Sequence, residues 1–101
     1  MSQASVTAAG GGELMLTGVI DYRTGPALRE QGAALIKASV AAGLTLDCSG
    51  VQKSSSVGLA LILAFMRDAQ ASGKSLTVRA LPEDMQEIAQ VSGLTELLQH
   101  H

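Results

Sequence analysis

Leu46–Met66 reads LDCSGVQKSSSVGLALILAFM, and the reading of this stretch decides the fold. It begins as a strand, because the apolar residues Leu44, Leu46 and Cys48 alternate with Thr45 and Asp47. That two-residue period marks a half-buried sheet. A polar turn is expected next, over Ser49, Gly50, Gln52, Lys53 and the serines Ser54, Ser55 and Ser56. An apolar helix then follows, with no charged residue from Ser54 to Met66. A strand, a hydroxyl-rich turn and a helix bring hydroxyls to the positive end of a helix dipole. Such a place can meet a partner or hold an anion.

Upstream, residues 4–8 read as a short edge strand and residues 13–20 as a second strand. The triple glycine Gly10–Gly12 joins them as a hairpin turn. Asp21, Tyr22 and Arg23 read as a solvated polar loop, placed at the other end of a crossover from the serines. Thr24 is the expected N-cap of a first helix, with Pro26 in its first turn, where a missing N–H costs little. Helical spacing runs through Leu28, Leu35 and Ala38 to about residue 40, and Gly43 opens the central strand.

Downstream, the apolar helix spans Ser56 to Ser72 and Gly73 supplies its stop. Ser75–Ala80 alternates as another strand. Pro82 opens a third helix, whose early Glu83, Asp84 and Glu87 suit the dipole, and Gly93 ends it. Residues 94–99 read as a short strand, a helical turn or both. The order is strand, strand, helix, strand, helix, strand, helix. An initial hairpin followed by strand–helix alternation predicts an α/β fold with a mostly parallel sheet and helices packed against it. Residues 1–99 form one domain in this reading. His100 and His101 read as a possible tag remnant.

Composition narrows the function. The chain has 101 residues, 47% of them hydrophobic, enough for one two-layer core. Tyr22 and Phe65 are its only aromatic residues and the net charge is −2. Neither a stacking platform nor a basic field is available, which argues against nucleic-acid binding. Cys48 is the sole cysteine and reads as a small core residue without a basic neighbour to activate it. One cysteine and two terminal histidines assemble no metal site, and no motif asks for a cofactor. No secretion signal is visible. The longest apolar run, Val57–Met66, is about half of the roughly 20 residues a membrane span needs. A soluble, cytoplasmic chain is expected.

Catalysis is not expected either. A serine nucleophile needs a base within reach, and the only histidines end the chain. Gly73-Lys74-Ser75 has the last letters of a phosphate-binding loop, but it joins a helix to a strand, the reverse of what that loop requires.

The combined segment resembles the signature of STAS domains: an apolar strand, D-x-S-G-V, a short link, D-[ST]-x-G-L, then a long apolar helix. Here the first element is Asp47-Cys48-Ser49-Gly50-Val51 and the second is Ser55-Ser56-Val57-Gly58-Leu59. LTGVIDYRTGPALRE is similar to the family's second strand and first helix, so the resemblance covers nearly the whole chain. GLALIL after the hydroxyl is most similar to the small stand-alone STAS subunits of Mla-type (toluene-tolerance) phospholipid ABC transporters. That resemblance implies a non-enzymatic subunit on the cytoplasmic face of the inner membrane. It would bind the transporter's ATPase, reach the membrane only through the complex, and support assembly, activity and outer-membrane lipid asymmetry. The implied contact residues are Ser54, Ser55, Ser56, Val57, Leu59 and Ala60. The alternative within the family is an anti-sigma-factor antagonist switched by phosphorylation, and Ser56 then matches the phospho-acceptor. Ser55 stands where that motif carries an acid, which weakens the switch and leaves docking intact.

The apolar helix bears on docking independently. From Val57 to Met66 apolar residues go all the way round it. Either neighbouring helices cover the side turned away from the sheet, or the leftover apolar area marks a protein interface.

Overall fold

The structure, a computed structural model, describes residues 4–54 and 56–93. Ser55, residues 94–99, His100 and His101 lie outside the described residues, and so do the expectations placed on them.

The elements follow in the order β1 (Ser5–Gly10), β2 (Glu13–Ile20), α1 (Gly25–Ala38), β3 (Gly43–Ser54), α2 (Ser56–Ala71), β4 (Ser75–Arg79) and α3 (Glu83–Val91). The four strands form one sheet in the order β1-β2-β3-β4. β1 runs antiparallel to β2, whereas β2, β3 and β4 are parallel. The α/β sheet opened by a hairpin is therefore as expected. Gly11 and Gly12 make the hairpin turn with φ of +60° and +82°, backbone that only glycine adopts cheaply.

Both crossovers, β2-α1-β3 and β3-α2-β4, step in the same direction across the sheet. Right-handed connections then put both helices on one face. The inward residues are Leu14, Leu16 and Ile20 of β2, Leu44, Leu46 and Cys48 of β3, and Leu76 of β4. Leu28 and Ile36 of α1, Ile62 and Phe65 of α2 and Met85 of α3 pack onto them. Among the described residues no polar or charged side chain is buried. The other sheet face carries Thr17, Asp47, Thr77 and Arg79. There the Ser5 and Thr17 hydroxyls share a 3.0 Å hydrogen bond, and Arg79 bridges Asp47 and Glu13.

Two expectations need correction. The polar turn expected from Ser49 is strand: β3 continues to Ser54, pairing Thr17 with Gly50, Val19 with Lys53 and Ile20 with Ser54. β4 stops opposite Asp47, so this half of β3 has a neighbour on one side only. Its polar residues therefore stay wet, and the alternation that would have betrayed a strand is lost. Gly50 is needed there, because a Cβ would lie 2.5 Å from Thr17 Cγ2.

Thr24 makes no side-chain cap to α1. Its hydroxyl accepts from the Asp21 N–H at 3.0 Å and donates to the Val19 carbonyl at 3.1 Å. Asp21 instead shapes the turn before α1, accepting the N–H groups of Arg23 at 2.9 Å and Thr24 at 3.2 Å.

The helix stops behave as read. Gly73 has φ +72°, its N–H reaches the Gln70 carbonyl at 3.0 Å, and the Lys74 N–H reaches Ala69 at 2.8 Å. That is a Schellman motif. Gly93, also at φ +72°, closes α3.

Candidate docking surface at the carboxyl ends of the parallel strands

Parallel strands deliver all their carboxyl ends to one edge of the sheet. The β2–α1 loop, the β3–α2 junction and the β4–α3 loop therefore share one rim. Ser56 opens α2 on this rim and is exposed. Ala60, one turn further on, is exposed as well, and Val57 is half-buried. Leu59, expected as a contact residue, is only 4% exposed and belongs to the core. At 3.6 residues per turn it points into the sheet while Ser56 and Ala60 face out.

Ser54 is half-buried, and its hydroxyl donates to the Asp84 carboxylate at 3.1 Å. Asp84 in turn accepts the Met85 N–H at 2.9 Å. Ser54 thus ties the end of β3 to the first turn of α3. Of Ser54 and Ser56, Ser56 is the exposed one.

The apolar circumference of α2 is largely covered by neighbours. α1 meets it where Gly32 faces Phe65: a Cβ on Gly32 would lie 2.3 Å from the ring. α3 meets it where Gly58 faces Met85: a Cβ on Gly58 would lie 2.8 Å from Met85 Cε. The bidentate Arg29–Asp68 pair, at 3.0 and 3.1 Å, crosses between α1 and α2. Asp68 therefore belongs to the α1 contact rather than to a free solvent face. What stays outside is Ser56, Ala60, Arg67, Gln70 and Ala71, with Leu63 and Met66 half-buried. Little apolar area on α2 is therefore left over for a partner.

The β2–α1 loop is solvated, as expected, but it lies on the same rim as Ser56 rather than at the other end of a crossover. A Cβ on Gly25 would sit 3.0 Å from Val57 Cγ1, so the start of α1 abuts the first turn of α2. Tyr22 is 77% exposed there, with the Arg23 guanidinium carbon 5.8 Å from its ring centroid. The strand order implies this placement, since parallel neighbours carry their following loops to one edge.

Two ionisable groups are strongly perturbed. The Ser49 N–H at 2.8 Å, helped by Arg79, pulls the Asp47 carboxyl down to about 2. Burial pushes the Cys48 thiol up to about 12, so it stays an inert core thiol at neutral pH. Neither group opens onto the rim. Among the described residues no cluster of His, Cys, Asp and Glu could hold a metal, and no helix is long and apolar enough to cross a membrane.

A one-sided α/β layer whose strand ends present an exposed helix-start serine is the architecture of STAS domains. The family model described as Mlab, STAS domain matches residues 5–99, and the chain belongs to the STAS family. A search of curated proteins finds no match.

Among solved structures, the chain is similar to one in the Acinetobacter MlaFEDB complex in an ATP-bound conformation. Identity is 26% over 87% of this chain and 92% of that one, with a TM-score of 0.76. It also resembles an anti-sigma factor antagonist from Mycobacterium paratuberculosis, with 24% identity, 97% and 83% coverage and a TM-score of 0.73. The phosphorylated Bacillus cell-fate determinant SpoIIAA is similar in fold at 18% identity, 92% and 86% coverage and a TM-score of 0.66.

Proposed function

We propose that this chain is the non-enzymatic STAS subunit of an Mla-type phospholipid ABC transporter. It docks on the transporter's ATPase through Ser56, Val57 and Ala60, with Ser54 and Ser55 at the margin, and supports assembly and activity of the complex. It works at the cytoplasmic face of the inner membrane, which it reaches only through its partner, and it contributes to lipid asymmetry. The observation that carries this reading is the likeness to a chain of the MlaFEDB complex over 92% of that chain's length, together with the Mlab family model. Exposed Ser56 and Ala60, one helical turn apart, supply small residues that a partner can approach closely.

Co-expression with the cognate ATPase tests it. The parent chain co-purifies with the ATPase, and Ser56→Arg, which sets a bulky charge at the contact, abolishes co-purification without changing the fold. Full binding and full ATPase support by that variant would refute the site.

The second reading, a phospho-switched antagonist of an anti-sigma factor, draws on the exposure of Ser56 in the first turn of α2. A phosphate there would add about −1.5 to −2 charge at a helix N-terminus. Ser55 in place of the expected acid counts against it. Incubation with a cognate serine kinase followed by intact-mass measurement separates the two: no mass gain removes the switch.

A further inference from the structure

We infer that Asp47 is a positioning residue for the docking surface: its carboxylate braces a β-bulge that sets the register in which β3 brings Ser54 and Ser56 to the rim. What the rim meets rests on the docking reading above, whereas the bulge does not.

The strand pairing locates the bulge. Between the pairs Met15–Asp47 and Thr17–Gly50, β2 advances two residues and β3 three. Between Gly18–Val51 and Val19–Lys53, β2 advances one residue and β3 two. β3 therefore holds one extra residue at each place, and side chains beyond an extra residue change faces. The packing records both changes. Cys48 is buried, and Val51, three residues on, packs against the same core. Ser54, three further on, is again on the helix side, where its Cβ lies 3.2 Å from the place a Cβ on Gly58 would take. A regular strand puts residues three apart on opposite faces.

Asp47 braces the first bulge. The N–H of exposed Ser49, which lies within it, donates to Asp47 Oδ1 at 2.8 Å and closes the backbone on itself. Asp47 Oδ2 accepts from Arg79 at 2.9 Å, and Arg79 also reaches Glu13, so the carboxylate is held from β4 and β2 together. The carboxyl, pulled down to about 2, stays ionised at neutral pH and can only accept.

The consequence reaches the rim. Without the first bulge, every side chain from Gly50 to Ser54 would turn to the other face. Val51 would leave the core, and the Ser54 hydroxyl would leave Asp84, to which it donates at 3.1 Å. The start of α2, and Ser56 with it, would step along β2 by one residue, about 3.3 Å.

The test follows backbone amides of the full chain by NMR and its binding to the purified cognate ATPase by biolayer interferometry. In the parent, the Ser49 amide should exchange at least about tenfold more slowly than an unbonded amide, although the residue is exposed. Exchange at the unbonded rate would overturn the brace without any variant. Asp47→Ala should shift the amide resonances of Gly50, Val51, Ser54 and Ser56 and weaken binding about tenfold or more, since it removes a hydrogen bond to a charged group. Asp47→Asn keeps Oδ1 as an acceptor, so it should restore those resonances and bind within about threefold of the parent. Arg79→Gln removes the ion pair but leaves the Ser49 bond, and it should bind like Asp47→Asn. If either of these two variants is as weak as Asp47→Ala, the ion pair carries the effect and the inference is overturned. If Ser56→Arg abolishes binding while Asp47→Ala binds like the parent, the docking reading stands and the inference is overturned. If Ser56→Arg binds like the parent, the docking reading falls; the bulge is then decided by the resonances, and their staying unchanged in Asp47→Ala overturns it.

Discussion

Replacing Gly32 with alanine would set a methyl group 2.3 Å from both Cε1 and Cζ of Phe65. Non-bonded carbons settle about 3.5–4.0 Å apart, so the ring would have to retreat by roughly 1 Å or more. Phe65 of α2 is fully buried in the core, against α1. Overpacking of this kind costs about 1–3 kcal/mol. Helix propensity works the other way, since alanine is favoured over glycine in a helix interior by about 1 kcal/mol. The overlap is more than 1 Å, so the clash should win, with a net loss of up to about 2 kcal/mol. For a domain of this size that lowers the melting temperature by up to about 15 °C. Thermal unfolding followed by circular dichroism measures it directly. Phe65→Leu in the Gly32→Ala background should relieve the contact, and the double-mutant cycle should show coupling of at least about 0.5 kcal/mol. Gly32→Ala melting at or above the parent would refute the reasoning, because propensity would then outweigh a contact far looser than described.

Two further outcomes follow from the perturbed ionisable groups. Asp47 has its carboxyl lowered to about 2 in the folded chain, so its contribution is fully present above its unfolded value near 3.8. That contribution is lost as pH falls through about 2. The melting-temperature gap between the parent and Asp47→Ala should thus be widest at pH 5 and narrow progressively below pH 4; a gap independent of pH would sink this account. Cys48 should react with a thiol reagent at pH 8 only as fast as the chain unfolds, because burial holds the thiol up near 12. Prompt stoichiometric labelling of the native chain would show that β3 opens locally.

Local patterns determined most of the elements from the sequence alone. The alternation of Leu44, Leu46 and Cys48, the stops at Gly73 and Gly93 and the turn at Gly10–Gly12 are each written within a few neighbouring residues. The family signature around Asp47–Leu59 is equally local. Tertiary structure decided the rest. Ser49–Ser54 is strand because β2 offers it a ladder, and no pattern within the segment records that neighbour. Leu59 is core and Ala60 is surface because the sheet lies on one side of α2, a direction that an all-apolar helix does not encode. α1 and α3 cover the flanks of α2 through Gly32 and Gly58, so the apolar excess that read as a candidate interface is packing. Tyr22 joins Ser56 on one rim because parallel strands carry their loops to the same edge. Hydrophobic periodicity is a property of a few successive residues, whereas which face is covered, and by what, depends on contacts between residues far apart in the chain.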